Sequence, residues 1–139
     1  LVDAFAAARA TIDRQPPSVA EAVLAEFIAE GHYVRHLRRM RALYAERQHA
    51  LLDRAANGPL GEHLELTVHD AGMQLLGWLR RGRDDVAASE RARRAGIEAP
   101  PLSSFAIRAP RRGALLLGYA AYSVRAIERA ADGLAAALA

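Results

Sequence analysis

An α+β domain, with a small antiparallel or mixed sheet packed by helices, is the fold class this 139-residue sequence predicts. Three observations carry that prediction. Apolar residues recur every three or four positions over the first 55 residues and again at the end of the chain, the period of amphipathic helices. The period drops to two at His63-Leu64-Glu65-Leu66-Thr67-Val68-His69, as in a half-buried strand. Gly and Pro clusters separate these runs.

The elements follow in order. Leu1, Phe5, Ala8 and Ile12 line one face of a first helix over residues 1–14, which Pro16 and Pro17 stop. Ser18 with Glu21 three positions on reads as a capping box. The helix it opens carries Val19, Val23 and Phe27 on one stripe and Leu24 and Ile28 beside it. Gly31 breaks this helix before a long third one over 32–55, with Tyr33, Leu37, Met40, Tyr44 and Leu51 along one face. Asn57, Gly58, Pro59 and Gly61 form a loop. The alternating segment and the apolar run Met73–Leu79, joined at Asp70-Ala71-Gly72, pair as a β-hairpin. Asp84 or Asp85 caps a fourth helix that ends before Gly96. Ile97–Glu98 is a possible short strand, residues 99–112 are loop, and Ala114–Ala120 is a buried strand. Ser123 caps the last helix, where Val124, Ile127, Ala131, Leu134 and Leu138 share a stripe.

Composition narrows the function. There is no cysteine, which removes disulfides, thiolate metal sites and cysteine nucleophiles. No apolar run approaches the ~20 residues that span a bilayer, and no signal peptide is visible, so the expectation is a soluble cytoplasmic protein without a membrane partner. All 19 basic side chains besides histidine are Arg; Lys is absent. The net charge of +3 arises from basic and acidic residues scattered together rather than from one basic block.

Three segments carry a resemblance. Residues 26–47 (Glu-Phe-Ile-Ala-Glu-Gly-His-Tyr-Val-Arg-His-Leu-Arg-Arg-Met-Arg-Ala-Leu-Tyr-Ala-Glu-Arg), 71–79 (Ala-Gly-Met-Gln-Leu-Leu-Gly-Trp-Leu) and 115–122 (Leu-Leu-Leu-Gly-Tyr-Ala-Ala-Tyr) occur in the order found in MocR/GntR-family transcriptional regulators. There they belong to the C-terminal small subdomain of a fold-type I aminotransferase-like domain. The first motif is fairly specific; the other two are shared more loosely with aminotransferases. The resemblance covers essentially the whole chain. It implies a PLP-dependent transferase small-domain-like fold over residues 18–139, preceded by a long interdomain helix and linker over 1–17.

It further implies a fragment, consistent with a first residue that is Leu rather than Met. Upstream in the parent would lie a large pyridoxal phosphate (PLP) domain and a winged-helix DNA-binding domain. The parent would bind PLP, sense an amino-compound effector by closing the small domain, and form a homodimer. PLP is anchored through a lysine Schiff base, so this chain alone would bind none covalently. The alternative is a fragment of a genuine class I/II aminotransferase. In such enzymes an Arg on the 115–120 strand grips the substrate carboxylate, two residues before a small residue and three before an aromatic. Gly118 and Tyr119 fill those later places here, and Leu116 stands where the Arg would be. The fragment itself is not expected to be an enzyme, and full transamination by the parent is not expected. No catalytic or cofactor-binding residue is assigned. Arg108, Arg111 and Arg112 are the candidates for holding an effector's anionic group.

Other constellations point to packing or solvent. His32 and His36 share a helix face at a spacing that can bind zinc, but no third ligand accompanies them, and no metal site is expected. His63 and His69 share a strand face about 20 Å apart. Arg35, Arg38, Arg39 and Arg41 could meet phosphates; the simpler expectation is a solvated or interdomain face, salt-bridged to Glu30, Glu46 or Asp53. Trp78 is expected in the core and Tyr119 in packing.

Overall fold

The computed structural model describes residues 1–13, 18–68, 72–108 and 110–139. The proposed stop at Pro16-Pro17, His69 and most of the turn at Asp70-Ala71-Gly72 lie outside them. The chain divides into two compact units, Leu1–Met40 and Arg41–Ala139.

The first unit is helical: α1 (Val2–Asp13), α2 (Ser18–Ala29) and the opening turns of α3 (His32–Asn57). None of its described residues is buried. The apolar stripes read from the sequence are present but open, with Phe5, Ile12, Val19, Val23 and Leu24 all exposed. Gly31 separates α2 from α3 with a φ of 75°, the left-handed region that costs a residue with a Cβ. His32 then stacks on Phe27, ring centroids 5.5 Å apart, and its Nε2 lies 2.8 Å from the Glu30 carboxylate.

The second unit holds the sheet. Strands β1 (Leu64–Leu66), β2 (Gln74–Leu79) and β3 (Ala114–Gly118) lie in the order β1-β2-β3, antiparallel throughout. The register sets Leu64 opposite Leu79, Leu75 opposite Leu117, and Leu76 opposite Leu116. Because side chains alternate across a strand, Leu64, Leu75, Leu79, Leu115 and Leu117 share one buried face. The C-terminal part of α3, α4 (Asp85–Arg94) and α5 (Val124–Leu138) supply the rest of that core through Leu51, Ala88, Ala92, Ile127, Ala131, Leu134 and Leu138. Gly77 sits on the same face. A Cβ there would meet the methyls of Leu64, Leu66 and Leu117 at 3.0–3.2 Å, so a bare backbone leaves room for the flanking leucines.

Local signals acted where they were read. The Asp84 side chain accepts from the amides of Val86 and Ala87, and Ser123 Oγ accepts from Ala126 N, capping α4 and α5. Other expectations need correcting. The Asn57–Gly61 loop contains a 3₁₀ turn over Pro59–Glu62, and the 99–112 loop contains another over Leu102–Phe105. Ile97–Glu98 forms no strand; its place at the sheet edge is taken by an isolated bridge between Pro101 and Leu115, since Leu116 N donates to Pro100 O at 2.9 Å.

Candidate functional site

β3 divides two environments. Leu117 faces the helices and lines an apolar cleft of about 250 Å³ with Leu51, Ile97, Tyr122 and Leu134; among the described residues Glu98 is its one charged wall. Leu116 faces the other way. With Leu76 opposite and Trp78 two positions along β2, it makes a half-buried apolar surface edged by the exposed Gln74 and Glu65. Trp78 is therefore not a core residue. Strand alternation places it beside Leu76 and opposite to Leu75 and Leu79, and its Nε1 donates to Thr67 Oγ1 at 3.0 Å.

The three arginines singled out for anion binding are placed differently. Arg112 is committed to the sheet. Its Nη2 donates to Glu65 at 2.7 Å, its Nε donates to Leu79 O at 3.1 Å, and its guanidinium sits 5.8 Å from the Trp78 ring centroid. The hydrogen bond and charge of Arg112 hold the Glu65 carboxyl below the ordinary carboxylate range. Arg108 and Arg111 are exposed, and no ion pair joins either to a described residue. They stay available; Arg112 would first have to leave Glu65.

The end of β3 is held from several sides. Tyr119 is 2% exposed and donates its hydroxyl to Gly72 O at 2.8 Å, while Gln48 Nε2 donates to that hydroxyl at 3.4 Å. The Arg47 guanidinium donates to Ala120 O. Asp85, the first residue of α4, is 5% exposed. Its carboxylate accepts from Ser103 Oγ at 2.7 Å, Ser103 N at 3.0 Å and Ala114 N at 3.4 Å. Burial alone would raise its pKa, but these donors outweigh it and the net shift is downward. Asp85 thus pins α4, the 102–105 turn and β3 together as a charged buried group. Its sequence neighbourhood marks Asp85 only as a candidate helix cap, because the donors lie 18 and 29 residues away.

Among the described residues no group of three His, Asp or Glu could hold a metal ion, and no helix is long and apolar enough to cross a membrane.

No protein-family profile matches the chain. Curated relatives do. The chain is 33% identical over 137 residues to the Rhizobium meliloti protein named as a probable rhizopine catabolism regulatory protein, MocR, a match covering 99% of this chain and 28% of that protein. It is 31% identical over 116 residues, 82% of the chain, to YdeL, an uncharacterized HTH-type transcriptional regulator of Bacillus subtilis, covering 24% of it. The chain thus spans about a quarter of the length of these relatives. Among solved structures it is similar to LysN, an alpha-aminoadipate aminotransferase from Thermus thermophilus, with a TM-score of 0.80 and 24% identity over 94% of this chain and 33% of that one. A multiple substrate aminotransferase from Thermococcus profundus matches with a TM-score of 0.80, 21% identity, and coverage of 94% of this chain and 32% of the other. Along nearly its whole length, then, the chain is homologous to part of the MocR/GntR-type transcriptional regulators, and that part has the aminotransferase fold.

Proposed function

We propose that this chain is the small domain of the PLP-binding, aminotransferase-like effector-sensing part of a DNA-binding regulator. Residues 1–17 would be its interdomain helix and linker, and residues 18–139 the domain proper. The observation that carries the reading is the 137-residue match to a regulator combined with the aminotransferase fold. The parent would be a cytoplasmic homodimer whose winged helix and large PLP domain are supplied by sequence outside this chain.

The cofactor belongs to the reading because the LysN structure is a complex with N-(5'-phosphopyridoxyl)-L-leucine. This chain's residues do not fit its covalent anchor. A Schiff base needs an amine side chain, and all 19 Lys-plus-Arg residues here are arginines, whose guanidinium stays protonated. What the chain offers instead is a surface. Leu116 and Leu76 present carbon, and the nearby Arg112 is already neutralised by Glu65. A carboxylate brought to that surface would lose hydration without gaining a bidentate partner. Arg108 and Arg111 are the free cations through which this chain would meet an effector's anionic group.

The test uses the full-length protein loaded with PLP and given a panel of amino acids and amines. The expected outcome is a spectral response of the cofactor to an amino compound, without keto-acid release over many turnovers. A missing charge-assisted grip of about 1.5–3 kcal/mol, with each ~1.4 kcal/mol tenfold in rate, already slows turnover about tenfold to a hundredfold. Lost alignment of the reacting bond slows it further. Sustained turnover on an ordinary α-amino acid would favour the genuine-aminotransferase alternative. Substituting Arg108 and Arg111 in turn would then show which had taken over the carboxylate.

A further inference from the structure

The first turns of α3 carry Arg35, Arg38 and Arg39, all exposed. At 3.6 residues per turn they fall within about 100° of helix arc, on the side opposite Tyr33, Leu37 and Met40. The salt bridges expected for them are not made. Glu30 is engaged by His32 at 2.8 Å, Asp53 accepts from Asn57 at 2.7 Å, and no ion pair joins these arginines to Glu46 or to any described residue.

Three unpaired cations in this position work against the helix. Like charges three and four residues apart repel. Arg35, the fourth residue of α3, also sits in the first turn, where the helix dipole disfavours positive charge. Arginine suits a helix by propensity, but no described acid offsets the charge of these three.

We infer that this arginine face contacts the phosphate backbone of duplex DNA, an inference that rests on the regulator reading above. Guanidinium groups match phosphate oxygens in bidentate geometry and are less strongly hydrated than ammonium groups. Backbone contacts of this kind position a protein on the duplex and are independent of base sequence. The face would add register and affinity to whatever element of the parent reads the bases. A bilayer is the poorer fit, because Leu37, Met40 and Tyr44, the apolar side of α3, are partly buried rather than free to lie among lipid chains.

The experiment measures fluorescence polarisation of two unrelated labelled duplexes with this chain, from about 50 to 200 mM salt. Each neutralised phosphate contributes about −0.9 to the slope of log affinity against log salt, so three contacts give about −2.7, the same for both duplexes. The triple variant R35Q/R38Q/R39Q is expected to bind at least about tenfold more weakly at the lowest salt, with its slope near zero. R38Q alone should fall between. The variant R91Q/R93Q/R94Q removes the same charge from α4 and is expected to leave affinity within about twofold. Circular dichroism controls for folding. The inference is overturned if the unaltered chain fails to bind at the lowest salt, or if both triple variants lose equally, which would mean net charge alone. Tighter α3-dependent binding to phosphatidylcholine–phosphatidylglycerol vesicles than to either duplex would overturn it too. No cofactor or effector is present in this assay. A negative result therefore leaves the effector reading standing, and an unresponsive full-length protein leaves this result standing.

Discussion

The three arginines of α4 and the first three of the six on α3 are treated oppositely by the fold. On α4, Arg91, Arg93 and Arg94 lie in the last turn, where the helix dipole favours cations. Glu90 grips Arg93 through two hydrogen bonds of 2.9 Å and reaches Arg94 at 3.4 Å. The same contacts hold Glu90 below its ordinary pKa and raise that of Arg93. On α3, Arg35, Arg38 and Arg39 lie toward the start of the helix with no acid against them. Charge is thus placed with the local electrostatics on α4, whereas on α3 Arg35 opposes the helix dipole and all three arginines lack a described counter-charge. Residues that oppose their own helix are where selection for something besides folding is to be sought.

The largest effect that can break this contrast lies at the N-terminus of α4. If α4 is the helix built for the fold, its anchor should be structural. Asp85→Ala would leave the amides of Ser103 and Ala114 and the Ser103 hydroxyl without their acceptor. We expect a loss of about 3 kcal/mol in urea unfolding. Gly113 reinforces the point: a Cβ there would meet Arg83 O at 2.9 Å and the Asp85 Cβ at 3.1 Å, so this junction is already at contact distance. An unchanged midpoint in Asp85→Ala would show that the junction is held by apolar packing and that the comparison has no structural side.

The same residue predicts a pH dependence of defined sign. Its folded-state pKa is lowered, so its contribution is fully present above the unfolded value of about 3.9 and is lost as pH falls through the folded value. Stability should therefore drop on the acid side of about pH 4, and Asp85→Asn should remove that component. Glu65 and Glu90 are shifted in the same direction through exposed arginine partners, and added salt screens them. Measuring the melting temperature from neutral pH downward at high salt isolates Asp85. A slope identical in Asp85→Asn would assign the acid sensitivity elsewhere.

What could be read from the sequence was what is decided within a few residues. The caps at Asp84 and Ser123, the helix break at Gly31 and the α5 stripe through Ile127, Leu134 and Leu138 are local patterns, and each is present. The hairpin was legible too, because alternation marks a strand and Leu64–Leu66 pairs with Gln74–Leu79. Alternation says that Trp78 and Leu79 point opposite ways but not which side the helices cover, so side-chain size alone points to Trp78 as core when it is Leu79 that is buried. The pairing of Arg112 with Glu65 spans 47 positions and depends on the sheet register, which no short window contains. For the same reason Arg108, Arg111 and Arg112 looked equivalent as a cluster, although the third is committed to the sheet.

The smallest effect sharpens the contrast most. Exposed arginine substitutions on α3 should leave stability within about 0.5 kcal/mol of the unaltered chain, because no contact is lost and some like-charge repulsion is relieved. Glu90→Gln on α4 is the informative partner. It removes the acid that occupies Arg93 and Arg94 and makes α4 resemble α3, with cations on a helix face and no counter-charge. If unpaired guanidinium is what draws a polyanion, Glu90→Gln should tighten low-salt binding to duplex DNA by about twofold and steepen the salt slope. If it does neither while R35Q/R38Q/R39Q still abolishes binding, charge availability is insufficient. The spacing of the α3 arginines along their face would then be the property that matters. Both variants can be read in one polarisation titration, with thermal melts confirming that Glu90→Gln costs α4 little beyond its surface ion pairs.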